Sequence, residues 1–153
     1  MSKALVTGAT AGIGESFTRL LASNGHDLIL VARDVNRLQE RAQSLRDQFK
    51  VTVEVLQADL ANSTELARVE ARLAQGDVDV LINNAGFGIN KSFLVSDINA
   101  EQQLLDVLVT APMRLMHAVL PVMKAKNAGT IINISSVAGW IAGGTYSAAK
   151  SYL

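Results

Sequence analysis

The sequence predicts an α/β fold, a doubly wound sheet of five parallel strands in the order 3-2-1-4-5 with helices on both faces. Three observations carry that expectation. Short β-branched or leucine-rich runs alternate with longer segments of helical period, the pattern of right-handed βαβ units. Several of the short runs are apolar almost without interruption, as strands covered on both faces are. A glycine-rich turn directly joins the first strand to the first helix. With 153 residues, 49% of them hydrophobic, the chain suffices for a single domain over 1–153 and is too short for two.

The strands are placed at Ala4–Thr7, Asp27–Ala32, Val51–Gln57, Val78–Asn83 and Thr130–Ser135. The third alternates more than the others and is expected at a sheet edge. Ile13, Phe17, Leu20 and Leu21 form the stripe of the first helix, which Asn24-Gly25 ends with a left-handed stop. Leu38, Ala42, Leu45 and Phe49 repeat the device in the second, leaving Arg37, Arg41 and Arg46 on its solvated face. Ser63 is expected to cap a third helix that buries Leu66, Val69 and Leu73 and runs to Gly76. The fourth, about Asn99 to Lys126, is the longest, and Pro112 and Pro121 should bend it. After strand five come Gly139, Gly143 and Gly144, then a helix that has barely begun at Leu153, which predicts a domain incomplete at its C-terminus.

Composition removes several function classes. Lys plus Arg is 14 and Asp plus Glu is 14, so bulk charge recruits neither nucleic acid nor an anionic membrane. The apolar stretch after Met1, Ser2 and Lys3 is too short for a signal peptide or a membrane span. With no Cys there is neither a disulfide framework nor a thiolate metal site, which suits a cytoplasmic protein. His26 and His117 lack neighbours at ligand spacing, so no metal is expected. Met113, Met116 and Met123 are read as core or subunit-contact residues, and Trp140 as touching substrate or capping the core.

Two stretches point to a nucleotide. Thr7-Gly8-Ala9-Thr10-Ala11-Gly12-Ile13-Gly14 lets the backbone turn sharply and approach a pyrophosphate at the free N–H groups of a helix start. At the end of strand two, Leu30-Val31-Ala32-Arg33-Asp34 puts a small residue and then a guanidinium where a ribose carboxylate normally sits. A guanidinium fork matches a 2′-phosphate, so NADP(H) is favoured, with NAD(H) possible if Asp34 is the acidic partner after a one-residue slip. Asp34 is otherwise a helix N-cap.

A third stretch adds proton chemistry. Tyr146 and Lys150 lie one helical turn apart and share a face, and an ammonium beside a phenol favours the phenolate. They follow Ser136 at a strand end, where ligands of doubly wound sheets bind.

These motifs together resemble the short-chain dehydrogenase/reductase family. TGxxxGxG stands at Thr7–Gly14, Asp59-Leu60 after strand three, Asn83-Asn84-Ala85-Gly86 after strand four, Ser135-Ser136 on strand five and YxxxK at Tyr146–Lys150. The resemblance implies a Rossmann-type NAD(P)-binding domain that interconverts an alcohol and a carbonyl by hydride transfer. It implies that Gly8, Thr10, Gly12, Ile13, Gly14, Arg33, Asp59, Leu60, Asn84, Ala85 and Gly86, with Tyr146 and Lys150, hold the cofactor. Ser136 then bonds the substrate carbonyl, Tyr146 passes the proton, and Lys150 also holds the nicotinamide ribose.

The chain departs from the family in three ways. Asp106-Val107-Leu108-Val109-Thr110 matches the D-x-N-x-T stretch, with Leu108 where the family has its fourth catalytic group, an amide. Ser136 and Tyr146 are closer than usual, so the loop between them is tight, or Ser135 takes the role; Ser136 is the expectation. A complete relative continues beyond Leu153 through the rest of the helix, two strands and a substrate lid. The alternative function is therefore a non-catalytic nucleotide-binding remnant. The resemblance also implies a homo-oligomer for a full-length form. Leu104, Leu105, Leu108, Met113, Leu115, Met116 and Leu120 cover more than one face of the long helix, which predicts an exposed apolar patch, marginal stability and self-association in the shortened chain.

Overall fold

The computed structural model describes residues 2–153. Five strands, β1 (Lys3–Thr7), β2 (Asp27–Ala32), β3 (Val53–Gln57), β4 (Val80–Asn83) and β5 (Thr130–Asn133), form one sheet in the order β3-β2-β1-β4-β5. Every pairing is parallel, and β3 lies at an edge as its alternation predicts. Three strands begin or end inside their expected bounds. The Asp79 carboxylate accepts the Lys3 N–H at 3.1 Å, closing the entry to β4, while β4 ends at Asn83, whose carbonyl takes the Ile134 N–H at 2.9 Å as the last bond to the chain leaving β5. Val51 and Thr52 precede β3, where Thr52 N–H is taken by the Asp27 carboxylate at 2.8 Å.

The period of two sorts the strands' side chains into two cores. Leu5, Ile29 and Leu81 face α3 (Ser63–Leu73) and α5 (Ala111–Lys126), meeting Val69, Leu73, Leu115 and Val119. Ala4, Val6, Leu28, Leu30 and Ile82 face α1 (Gly12–Ser23) and α2 (Val35–Phe49), meeting Leu38, Ala42 and Leu45. A third cluster joins α4 (Ile98–Leu105) to α6 (Gly144–Tyr152) through Leu104, Leu108 and Ala149.

Asn62, not Ser63, caps α3: its side-chain oxygen accepts from Thr64 N–H at 3.0 Å and Glu65 N–H at 3.1 Å. Asn serves this position as well as Ser, and one residue earlier it reaches both amides. The arginines of α2 are less uniformly solvated than their spacing implies. Arg41 pairs with Glu15 of α1 and Arg46 donates to the Val53 carbonyl, because long side chains reach past a helix face to neighbouring elements.

The long helix is continuous from Ile98 to Lys126, with a π-helical turn at Asp106–Thr110 between α4 and α5. There Ala111 N–H reaches back five residues to the Asp106 carbonyl, and Pro112 follows with no N–H of its own. The widened turn accommodates Pro112, and α5 runs through Pro121 to Lys126. By length and mean hydropathy (1.4) this helix would pass for a membrane span, but Leu104, Leu108, Leu115 and Val119 are fully or almost fully buried in the cores. Met123 is core and Met116 packs against it, whereas Met113 and Leu120 are about half exposed. Trp140 is 93% exposed and does not cap the core, since the short Ser136–Tyr146 loop holds it outside. Away from the glycine turn, Arg72 joins β3 to the α3–β4 loop, bonding Glu54 at 3.0 Å and Asp77 at 2.7 Å, and Lys3 adds a second cation to Asp77 at 2.5 Å.

Candidate active site

The carboxyl ends of the strands open into a cavity of about 920 Å³, at the upper end of ligand-pocket sizes. Its floor is the turn between β1 and α1. A Cβ on Gly14 would lie 2.2 Å from the Gly8 carbonyl oxygen and 2.4 Å from Asn84 Nδ2, so no other residue fits there. Gly8 itself has φ +65°. Asn84 fastens the turn from β4, donating from Nδ2 to the carbonyls of Thr7 at 3.1 Å and Gly8 at 3.2 Å. Buried Thr7 answers: its Oγ accepts the N–H groups of Asn84 and Ala85, each at 3.0 Å.

The start of α1 differs from its neighbours in a way that bears on a ligand. Asp34, Asn62 and Asp97 cap α2, α3 and α4 with side-chain oxygens, but Ala11 offers α1 none. Gly12, whose missing Cβ leaves open space, begins this uncapped turn on the cavity wall. Unclaimed amides at the positive end of a helix dipole fit an anionic pyrophosphate.

At the far end of β2, Arg33 and Arg37 line the cavity, and neither makes an ion pair among the described residues. Asp34, left open between two roles by the sequence, is a helix cap: its Oδ1 accepts Arg37 N–H at 3.1 Å. Asp59 and Leu60 lie on the same wall, with Asp59 Oδ1 accepting from Ala61 N–H at 3.0 Å.

At the other end stand Ser135, Ser136, Tyr146 and Lys150. Lys150 is 6% exposed, and burial holds its ammonium below the usual lysine range. Its Nζ lies 6.0 Å from the centre of the Tyr146 ring. Ser136 Oγ accepts Ala138 N–H at 3.2 Å, which leaves its own proton to donate. Leu108 is fully buried, and a Cβ on Gly86 would come 2.6 Å from its Cδ2.

All the sequence-designated residues except Gly14 line this one cavity, and Gly14 supports its floor. Sequence reasoning missed the bracing role of Thr7, the second guanidinium at Arg37, and Phe87 and Val107 on the wall. Arg37 had a signal, since it opens the helix that follows Arg33; nothing local marks Phe87 or Val107. Among the described residues no cluster of His, Cys, Asp or Glu suits a metal.

Residues 2–153 match the family model described as short chain dehydrogenase. The chain is 37% identical over 156 residues to the NADP-dependent 3-hydroxy acid dehydrogenase YdfG of Salmonella typhi, covering 97% of this chain and 61% of that protein. Two solved structures superpose with a TM-score of 0.97. One is a bulky-bulky ketone specific alcohol dehydrogenase from Comamonas testosteroni, 38% identical over 99% of this chain and 63% of that one. The other is a short-chain dehydrogenase from Sphingobium yanoikuyae in complex with NADPH, 40% identical over 99% of this chain and 61% of that one. The chain thus spans about three-fifths of the length of these relatives.

Proposed function

This chain belongs to the short-chain dehydrogenase family, and we propose that it interconverts a small carbonyl compound and its alcohol, with NADP(H) as the preferred cofactor. The observation that carries the proposal is the single cavity shared by the uncapped glycine turn, the unpaired Arg33 and the Ser136, Tyr146 and Lys150 group. The solved NADPH complex of a relative at 40% identity supports the cofactor.

The start of α1 and Gly8, Gly12 and Gly14 would hold the pyrophosphate, Asp59, Leu60, Asn84, Ala85 and Gly86 the adenosine side, and Arg33 the 2′-phosphate. When bound, NADPH supplies the hydride. The Tyr146 phenol gives its proton to the carbonyl oxygen, and the Lys150 ammonium, 6.0 Å from the centre of its ring, is the positive charge beside it. The Ser136 hydroxyl, whose proton is unspent, bonds the same carbonyl oxygen and holds it toward Tyr146. In the alcohol direction the proton returns to Tyr146.

Leu108 favours a second reading. Its buried apolar side chain fills the place where the family carries an amide, which suits a module that binds the nucleotide without turnover. NADPH with a panel of aldehydes and ketones separates the two: oxidation that disappears in Tyr146→Phe supports the enzyme, and NADPH fluorescence enhancement with no Tyr146-dependent oxidation supports the module. We place the protein in the cytoplasm, which its lack of Cys suits. We also propose a homo-oligomer, supported by the half-exposed Met113 and Leu120 on the long helix and tested by sedimentation.

A further inference from the structure

The two residues that follow Ile132-Asn133 of β5 grip Lys150. Lys150 Nζ donates to the Ile134 carbonyl at 2.6 Å. The Lys150 main-chain carbonyl accepts the Ser135 hydroxyl at 2.5 Å. The short turn after β5 closes the bracket, since a Cβ on Gly139 would lie 2.9 Å from the Lys150 carbonyl oxygen and Ser151 Oγ donates to the Gly139 carbonyl. The two adjacent serines have separate partners. Ser136 turns its oxygen to Ala138 N–H, and Ser135 spends its proton on α6.

A lysine ammonium rides on a flexible four-carbon stem, so its position is defined only if both ends of the side chain are fixed. Ile134 fixes the tip. Ser135 fixes the backbone from which the stem springs, within the turn of helix that also carries Tyr146. We propose that Ser135 is a positioning residue: its hydroxyl ties α6 to the chain leaving β5 and so sets where the Lys150 ammonium stands relative to Tyr146. Its effect on rate rests on the roles of Tyr146 and Lys150 proposed above; its effect on the ammonium does not.

The test pairs heteronuclear NMR on isotope-labelled lysine with steady-state kinetics. The hydrogen-bonded Lys150 ammonium resonance is assigned by its loss in Lys150→Arg. Ser135→Ala should lose that resonance and lower kcat by about tenfold or more, while KM and NADPH affinity stay within about twofold. Ser135→Thr, which keeps the hydroxyl, should restore both. Should Ser135→Ala fail to fold, Ser135→Cys keeps the volume with a weak donor and should weaken the resonance. A Lys150 resonance unchanged in Ser135→Ala or Ser135→Cys overturns the proposal, as does a lost resonance with wild-type kcat, or a threonine variant that restores nothing. Wild-type protein without Tyr146-dependent turnover would overturn the proposed reaction instead, and the resonance would still decide the role of Ser135.

Discussion

The Lys150 ammonium stands 6.0 Å from the centre of the Tyr146 ring, one turn of α6 away and almost wholly shielded from water. Burial holds that ammonium below the usual lysine range, and both groups line the same cavity. Lys150→Met keeps the stem and removes the charge, and kcat should fall by about a hundredfold or more. Wild-type kcat in that variant would contradict the role given to Lys150.

Arg33 should discriminate between the two nicotinamide cofactors. Loss of a charge-assisted contact costs about 1.5–3 kcal/mol, so Arg33→Ala should reduce the NADPH-over-NADH preference by roughly tenfold or more. Titration of both cofactors by fluorescence checks it. Equal weakening of the two would show that Arg33 does not read the 2′-phosphate; Asp34 is already engaged as the cap of α2.

Gly14→Ala places a carbon within 2.4 Å of both the Gly8 carbonyl and Asn84 Nδ2, and the two groups are hydrogen-bonded to each other. Relief requires breaking the Asn84 brace. The variant should melt several degrees lower, consistent with roughly 1–3 kcal/mol of overpacking, and lose NADPH binding. A melting temperature and an affinity equal to wild type would contradict the close approach.

The glycine turn was legible because it directly joins the first strand to the first helix, and there Gly14 approaches the Gly8 carbonyl too closely for any side chain. Strand order followed from the same alternation, and β3 reached the edge that its weaker apolar run indicated. What stayed illegible depends on contacts far apart in sequence. The brace from Asn84 to Thr7 spans 77 residues, and nothing near Arg41 announces Glu15. Asp34 shows the limit from the other side: an acid after a strand and before a helix satisfies two patterns, and only the Arg37 N–H chose between them. The π turn before Pro112 had a visible cause in the proline, but whether a helix bends or widens is decided by its packing.

Acid should weaken the fold through Asp77. Hydrogen bonds from Arg72, then Lys3, hold its carboxyl well below the usual carboxylate range. A carboxyl depressed in the folded state contributes fully above its unfolded value, about 4, and loses that contribution as pH falls further. Because the Asp77 side chain is 43% exposed, solvent screening keeps the effect small. Arg72→Met should flatten the fall in melting temperature between about pH 5 and pH 2 relative to wild type. An acid limb as steep in the variant as in wild type would remove Asp77 from the explanation.

The most direct test of the proposed reaction is the oxidation of NADPH by aldehydes and ketones, followed in wild type and in Tyr146→Phe with NADPH affinity measured for both. The expected result is carbonyl-dependent oxidation in wild type that falls by about a hundredfold or more in the variant while affinity stays within about threefold. NADPH binding without any carbonyl-dependent oxidation, or equal oxidation in the two proteins, would contradict it.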